Sequence, residues 1–227
     1  MFSSEEISII ILTLKVAFTS TFLTLPLAIW LGWVLAQKNF IGKFLLEGLV
    51  NIPLVAPPVV TGYILLVVLG KNGIVGHWLY DVFGIKLAFN FAALIIASVV
   101  VSLPLAVRNT KSAFELVDPN YEKASGSLGA SKISTFFRVY LPMAFPGILS
   151  GAVLAFARSL GEFGATISFA GNILGKTQTI ALTVYSSMQI PGKEMQVTRL
   201  VIISLIISLL AIIASEYLNK KKKYFVR

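Results

Sequence analysis

Tyr121-Glu122-Lys123-Ala124-Ser125-Gly126-Ser127-Leu128-Gly129-Ala130-Ser131-Lys132 is a polar, charged, turn-rich stretch set between two apolar blocks, 88–107 and 143–160. It runs on through Phe136-Phe137-Arg138-Val139 to Leu141-Pro142. A loop that only joined two apolar segments could be short and featureless. This one carries a small-residue patch from Ala124 to Ala130, an aromatic pair and a proline stop, which suggests a short docking helix. Asp118-Pro119 reads as its start, with Asp as the cap and Pro at the first helical position. A second short helix is expected over about 132–140, ending before Pro142.

Outward from this stretch, composition sets the class. Hydrophobic residues make up 56% of the 227-residue chain and charged residues only 13%. That is a polytopic membrane protein rather than a soluble domain with a large core. The net charge of +9 could suggest a nucleic-acid partner, but the positions of the cations argue otherwise. Arg108, Lys111, Lys123, Lys132 and Arg138 precede the 143–160 block, and Lys220, Lys221, Lys222, Lys223 and Arg227 follow the last apolar run. Lys and Arg beside spans mark cytoplasmic loops. Cysteine is absent, so there is no disulfide framework and no thiolate metal site. The single His77 lies among Gly73, Gly76 and Trp78 in an expected extramembrane loop, without partners for a metal.

The pattern predicts about five spans. The first, 7–36, would be ~45 Å long as a helix, against ~30 Å of hydrocarbon, so it tilts or projects. Glu5-Glu6 and this length argue against a signal peptide. Lys15, with Ser8 and Thr19, makes a polar stripe; snorkelling to the surface is the ordinary account and a buried partner the alternative. Lys38 and Lys43 mark the next loop as cytoplasmic, which puts the N-terminus outside and the C-terminus inside. The second span, about 45–69, holds Asn51, Pro53, Pro57 and Pro58 and must be bent or interrupted. It reads either as a packing kink or as broken backbone against protein or a wet cavity. The third, 88–107, follows a polar outer loop, 70–90. The fourth is 146–163 and the last is 200–218. Between them, 165–197 reads as an outer loop or partly inserted helix, because a full crossing there would leave the lysine tail outside.

On the fourth span, Gly147, Gly151, Ala155 and Ser159 recur at helical spacing, a face that lets another helix approach closely, with a dimer axis as one place for it. Arg158 and Glu162 share that side and are spaced to pair. An ionisable pair inside a span points into the bundle or a cavity. It reads equally as a structural ion pair or as part of a pathway. No G-x-x-x-x-G-K-[ST] phosphate loop exists, and no nucleophile–His–acid set, so the chain is expected to be non-catalytic.

The spacing Ala124-Ser125, Gly129, Val139, Leu141-Pro142 resembles the cytoplasmic "EAA" loop of ABC importer permeases, roughly E-A-A-x₃-G-x₉-I-x-L-P. Laid on it, Lys123 takes the Glu position, Ser125 the second Ala and Val139 the Ile, while Glu122 sits one residue early. The following Phe156-Ala157-Arg158-Ser159-Leu160-Gly161-Glu162-Phe163-Gly164-Ala165-Thr166-Ile167 resembles molybdate/tungstate permeases in particular, and sulfate permeases carry a looser version. The likeness takes in Pro53-Leu54-Val55-Ala56-Pro57-Pro58-Val59-Val60 and most of the chain.

The resemblance implies an all-α polytopic bundle of the type I ABC importer permease fold, one transmembrane domain over 1–227 with a coupling loop at 112–141. It assigns ATPase coupling to Glu122, Lys123, Ala124, Ser125, Gly129, Ala130, Leu141 and Pro142, with Gly129 permitting close backbone approach. It suggests a path or gate at Arg158, Ser159, Glu162, Phe163, Gly164 and Thr166. The implied assembly is two permease copies, two ATPase subunits that bind ATP and Mg, and an extracytoplasmic oxyanion-binding protein, in a prokaryotic cytoplasmic (inner) membrane. No cofactor in this chain, no metal and no nucleic acid are expected. The implied cargo is molybdate or tungstate, with sulfate or thiosulfate as the alternative. An ion-coupled secondary transporter is the competing class, but no internal repeat accompanies Glu162, its one candidate ion ligand.

Overall fold

Ser3 opens the first helix. Its hydroxyl accepts from Glu6 N at 3.1 Å while Glu6 Oε2 accepts from Ser3 N at 2.8 Å, a reciprocal cap. The computed structural model describes residues 3–223, so Arg227 of the basic tail lies outside the described residues. From the Ser3 cap, α1 (Ser4–Gln37) runs for 34 residues, about 51 Å at the helical rise. Gly42 leads into α2 (Lys43–Val55), and Pro58 begins α3 (Pro58–Leu69).

The join between α2 and α3 turns by 115°. Each residue before a proline is pushed out of the helical region, and here there are two in succession. Ala56 has ψ 142° and Pro57 has ψ 132°. The second expected span is therefore a broken helix and not a packing kink.

The segment expected as a loop at 70–90 contains α4 (Ile74–Phe83), a short amphipathic helix with Ile74, Trp78 and Phe83 exposed. His77 on it pairs with Asp81 at 3.2 Å, both well exposed. Asn90 caps α5 (Phe91–Glu115) by accepting from Ala93 N at 3.1 Å. This helix continues past the expected end at Val107, because a helix does not stop where hydrophobicity stops. Lys111 sustains it, lying 2.6 Å from Glu47 on α2 and 3.6 Å from Glu115 one turn on.

Next come α6 (Asn120–Ser127) and α7 (Lys132–Thr135), then a π-helical turn (Phe136–Tyr140) and α8 (Leu141–Leu160). The helix expected to stop before Pro142 does not stop. Leu141 N reaches back to Phe136 O, a wider turn that makes room for the proline ring next door. The fourth apolar helix thus runs from Lys132 to Leu160, with Pro146 inside it rather than at its start. Two short helices follow, α9 (Gly164–Phe169) and α10 (Ile180–Ser187), and then α11 (Glu194–Lys223). Among the described residues, four helices are long and apolar enough to cross a membrane, or five if α2 and α3 count as one broken span.

The centre is α1, α5 and α8 packed on one another. Their contact is built from small side chains, with Ala28, Ala106 and Ala155 fully buried. In hydrocarbon no hydrophobic effect draws helices together, so close backbone approach and interhelical hydrogen bonds must do it. Gly151 meets α5, where an added Cβ would lie 3.2 Å from Ala106 O. The small-residue face is thus a helix contact within the chain and not a dimer axis. Ser20 bonds Ser159 at 3.1 Å and Thr24 approaches Ser102 at 3.3 Å across the same contacts, each worth about 0.6 kcal/mol in membrane helices.

Candidate functional site

The loop helix α6 is fixed at both ends by its own sequence. Asp118 Oδ1 accepts from Asn120 N at 2.8 Å, and Pro119 is already helical at φ −56°, as its start signal predicts. At the other end Gly129 takes φ +77°, Gly129 N bonds Gly126 O at 3.0 Å and Ala130 N bonds Ser125 O at 3.0 Å. That is a Schellman stop, which favours glycine for its left-handed backbone. Gly129 therefore has a local reason beyond the close partner approach expected of it.

Two hydrogen bonds tie this helix to the bundle, through Glu122 and Ser125, and two more through Gln37 extend the link. Tyr140 donates to Glu122 Oε2 at 2.9 Å, and its oxygen lies 3.4 Å from Gln37 Oε1. Gln37 Nε2 donates to Phe114 O at 3.1 Å. The Ser125 and Thr135 hydroxyls meet at 2.9 Å. The ends of α1, α5, α6 and the π turn are thus one linked cluster, over a core of Phe114, Val117, Tyr140 and Ala144. Lys123, Ala124 and Leu128 face away from the chain, Leu128 at 88% exposure. Ala130 and Leu141 are half-buried, and Pro142 is exposed.

The other candidates all lie where α8 turns into α9. Arg158 Nη1 lies 2.6 Å from Glu162 Oε2, with Glu162 buried and Arg158 partly open. Glu162 Oε1 accepts from Ala165 N at 2.7 Å, so the same carboxylate caps α9. Thr166 Oγ1 donates to Phe163 O at 2.9 Å, and the Phe163 ring stacks on Tyr185 of α10 at 4.7 Å. Gly164 abuts the start of α3: a Cβ there would come within 2.6 Å of Pro58 Cβ. One turn on, a Cβ on Gly62 would lie 2.8 Å from Ala165 Cα. The break between α2 and α3 and the break between α8 and α9 therefore meet at glycine-only distance. Lys15, by contrast, is exposed and makes no ion pair among the described residues.

The family of binding-protein-dependent transport system inner membrane components matches residues 25–224. The chain belongs to that family. The permease is 50% identical over 216 residues to the molybdenum transport system permease protein ModB of Haemophilus influenzae, covering 95% of this chain and 94% of that one. It is 44% identical over 218 residues to the ModB of Escherichia coli K12, covering 96% and 95%. The sulfate transport system permease protein CysT of Escherichia coli K12 is 35% identical over 177 residues, 78% of this chain and 64% of that one. Among solved structures, the inward-facing MetNI methionine ABC transporter superposes with a TM-score of 0.75 at 17% identity, covering 97% of this permease and 99% of that chain. An alginate ABC transporter superposes equally well, at 16% identity and 97% and 80% coverage. The fold is that of type I ABC importer permeases.

Several residues that organise the permease carry weak sequence signals. Tyr140 holds Glu122 and is itself met by Gln37, yet neither stands near Glu122 in the chain. Glu6 is fully buried and receives Arg199 Nε and Nη2 at 3.1 and 2.8 Å, joining α1 to α11. The Ser3-x-x-Glu6 spacing announces the cap but not the arginine. Thr13 of α1 accepts from Ile180 N at 2.9 Å and so seats the start of α10.

Proposed function

We propose that this permease is the membrane subunit of an ATP-driven importer of molybdate and its congener tungstate. The reading rests on its identity to named molybdenum permeases over nearly their whole length. The sulfate permease shares less of its sequence and less of its length, which ranks sulfate second. The working unit is two copies of this chain, two ATPase subunits that bind ATP and Mg, and an extracytoplasmic oxyanion-binding protein. It lies with the N-terminus outside and the C-terminus in the cytoplasm, on the charge bias of the loops.

On this reading α6 is the part the ATPase pushes. Closing of the nucleotide-bound ATPase pair displaces α6, and the Glu122–Tyr140 and Gln37–Phe114 bonds pass the displacement to α1, α5 and α8. The tight Gly164–Pro58 contact passes it from the α8–α9 turn to the broken helix α3. Among the described residues Arg158 is the one cation at that turn, and Glu162 already balances it. A dianion crossing there meets hydroxyls and backbone rather than a strong positive field, which suits cargo that must be released. Selectivity then belongs to the binding protein.

ATP hydrolysis by the reconstituted complex tests this reading. Binding protein loaded with molybdate or tungstate is expected to stimulate it, and binding protein offered sulfate is not. Equal stimulation by sulfate would remove the molybdate assignment. Reporter fusions at Ser125 and Gly192 test the orientation: cytoplasmic at the first, external at the second.

A further inference from the structure

An apolar groove of about 490 Å³ runs between α1 and the π turn at the Gln37 end of the bundle. Trp33 and Phe136, edge to face at 5.4 Å, form part of its wall, and Trp30, Ile133 and Phe137 are left exposed along it at 60%, 73% and 59%. Every lining residue belongs to one of two apolar helices long enough to span, Ser4–Gln37 and Lys132–Leu160. Both helices are apolar enough to cross a membrane, so the groove suits an apolar occupant at the end of a span. The charge beside the groove has one sign. Lys132 lines it, Lys38 Nζ sits 5.3 Å from the centre of the Trp33 ring, and no carboxylate lines it. Neither lysine has an ion-pair partner among the described residues.

We propose that this groove holds an acyl chain of an anionic phospholipid whose headgroup is met by Lys38 and Lys132. From Pro26 to Trp33 the groove follows α1 for two helical turns, about 10 Å, and Lys38 lies further along toward the Gln37 end. That is the order of a lipid, with the tail inward and the phosphate toward the interface. Aromatic rings at this depth and lysines beyond them match the interfacial region. The site goes beyond the transport reading, although the coupling loop at 112–141 supplies Lys132, Ile133, Phe136, Phe137 and Leu141 to its wall.

Native mass spectrometry of the full chain in mild detergent tests it, with phosphatidylglycerol and phosphatidylcholine of matched acyl chains as probes. Two lysines at an anionic headgroup favour it by roughly ten- to thirtyfold. The wild type is expected to retain one phosphatidylglycerol at correspondingly lower lipid concentration than phosphatidylcholine. Combined Lys38→Gln and Lys132→Gln should abolish the preference, and combined Lys38→Arg and Lys132→Arg should keep it. Ile133→Trp, which fills the groove, should weaken both lipids. Equal retention of the two lipids by the wild type, or an unchanged preference in the glutamine variant, overturns the proposal. Because the chain has no cysteine, Ile133→Cys gives a single reporter. Its efficient cross-linking in membranes to a second copy or to an ATPase would show that protein covers the groove, and would overturn the proposal as well.

Discussion

Tyr140 donates its hydroxyl to Glu122 Oε2 at 2.9 Å, fastening the loop helix to the π turn at the base of a central helix. Glu122 stands one residue ahead of the acid in the family loop pattern, yet it reaches the bundle, as Ser125 does through Thr135. The bond joins the part of the loop that faces outward to the buried Tyr140. Removing it should loosen transmission without unmaking the fold.

Tyr140→Phe deletes that hydroxyl and leaves the ring in place. A hydrogen bond to a charged acceptor is worth about 1.5–3 kcal/mol. The expected outcome is normal membrane insertion, near-normal ATP hydrolysis and severalfold less oxyanion moved per ATP. Glu122→Ala, which removes the acceptor, should behave alike, and the double variant should be no worse than either single one. Strictly additive losses, read from paired uptake and hydrolysis assays, would mean that the two residues act separately.

Leu128 and Gly129 are neighbours with separable roles. Leu128 is exposed, so Leu128→Asp should leave thermal stability unchanged while weakening co-purification with the ATPase by tenfold or more, on the order of the cost of an ill-fitting contact. Gly129→Ala adds little volume but forces a side chain onto φ +77°, costing about 1–2 kcal/mol. It should lower the melting temperature first and ATPase association second. A stable Gly129→Ala variant with lost association would restore the close-approach account of this glycine.

Arg158 and Glu162 allow a structural pair to be told from a path contact. Arg158→Met strands a buried carboxylate, and breaking such a pair costs about 3–5 kcal/mol. Adding Glu162→Gln to it should recover much of that stability. If the pair is structural, uptake recovers with stability in the double variant. Recovery of the melting temperature without recovery of uptake would place Arg158 in contact with the anion.

Local chemistry was the legible part of the sequence. The Asp118 cap and the proline pair at 57–58 act on their immediate neighbours, and the structure places the α6 start and the α2–α3 break at those residues. Helix ends were less legible, since hydropathy reports where the membrane stops and not where hydrogen bonding stops. Lys111 carries α5 onward through partners on two elements, and the π turn lets α8 absorb Pro142. The helix at Ile74–Phe83 hid behind Gly73 and Gly76, which read as loop. The spacing of Gly147, Gly151 and Ala155 announced a close helix but not which one; α5 of the same chain filled the place. In the site, Arg158 and Glu162 were found because they are one turn apart, whereas Tyr140, Gln37 and Arg199 meet their partners only after the chain has folded.

The most direct measurement is ATP-dependent uptake of molybdate into proteoliposomes holding the complete importer, repeated with excess sulfate or tungstate outside. The account predicts uptake that needs ATP and binding protein, is suppressed by tungstate, is indifferent to sulfate, and falls severalfold in Tyr140→Phe. Molybdate uptake that proceeds without ATP, or that sulfate abolishes, would contradict it.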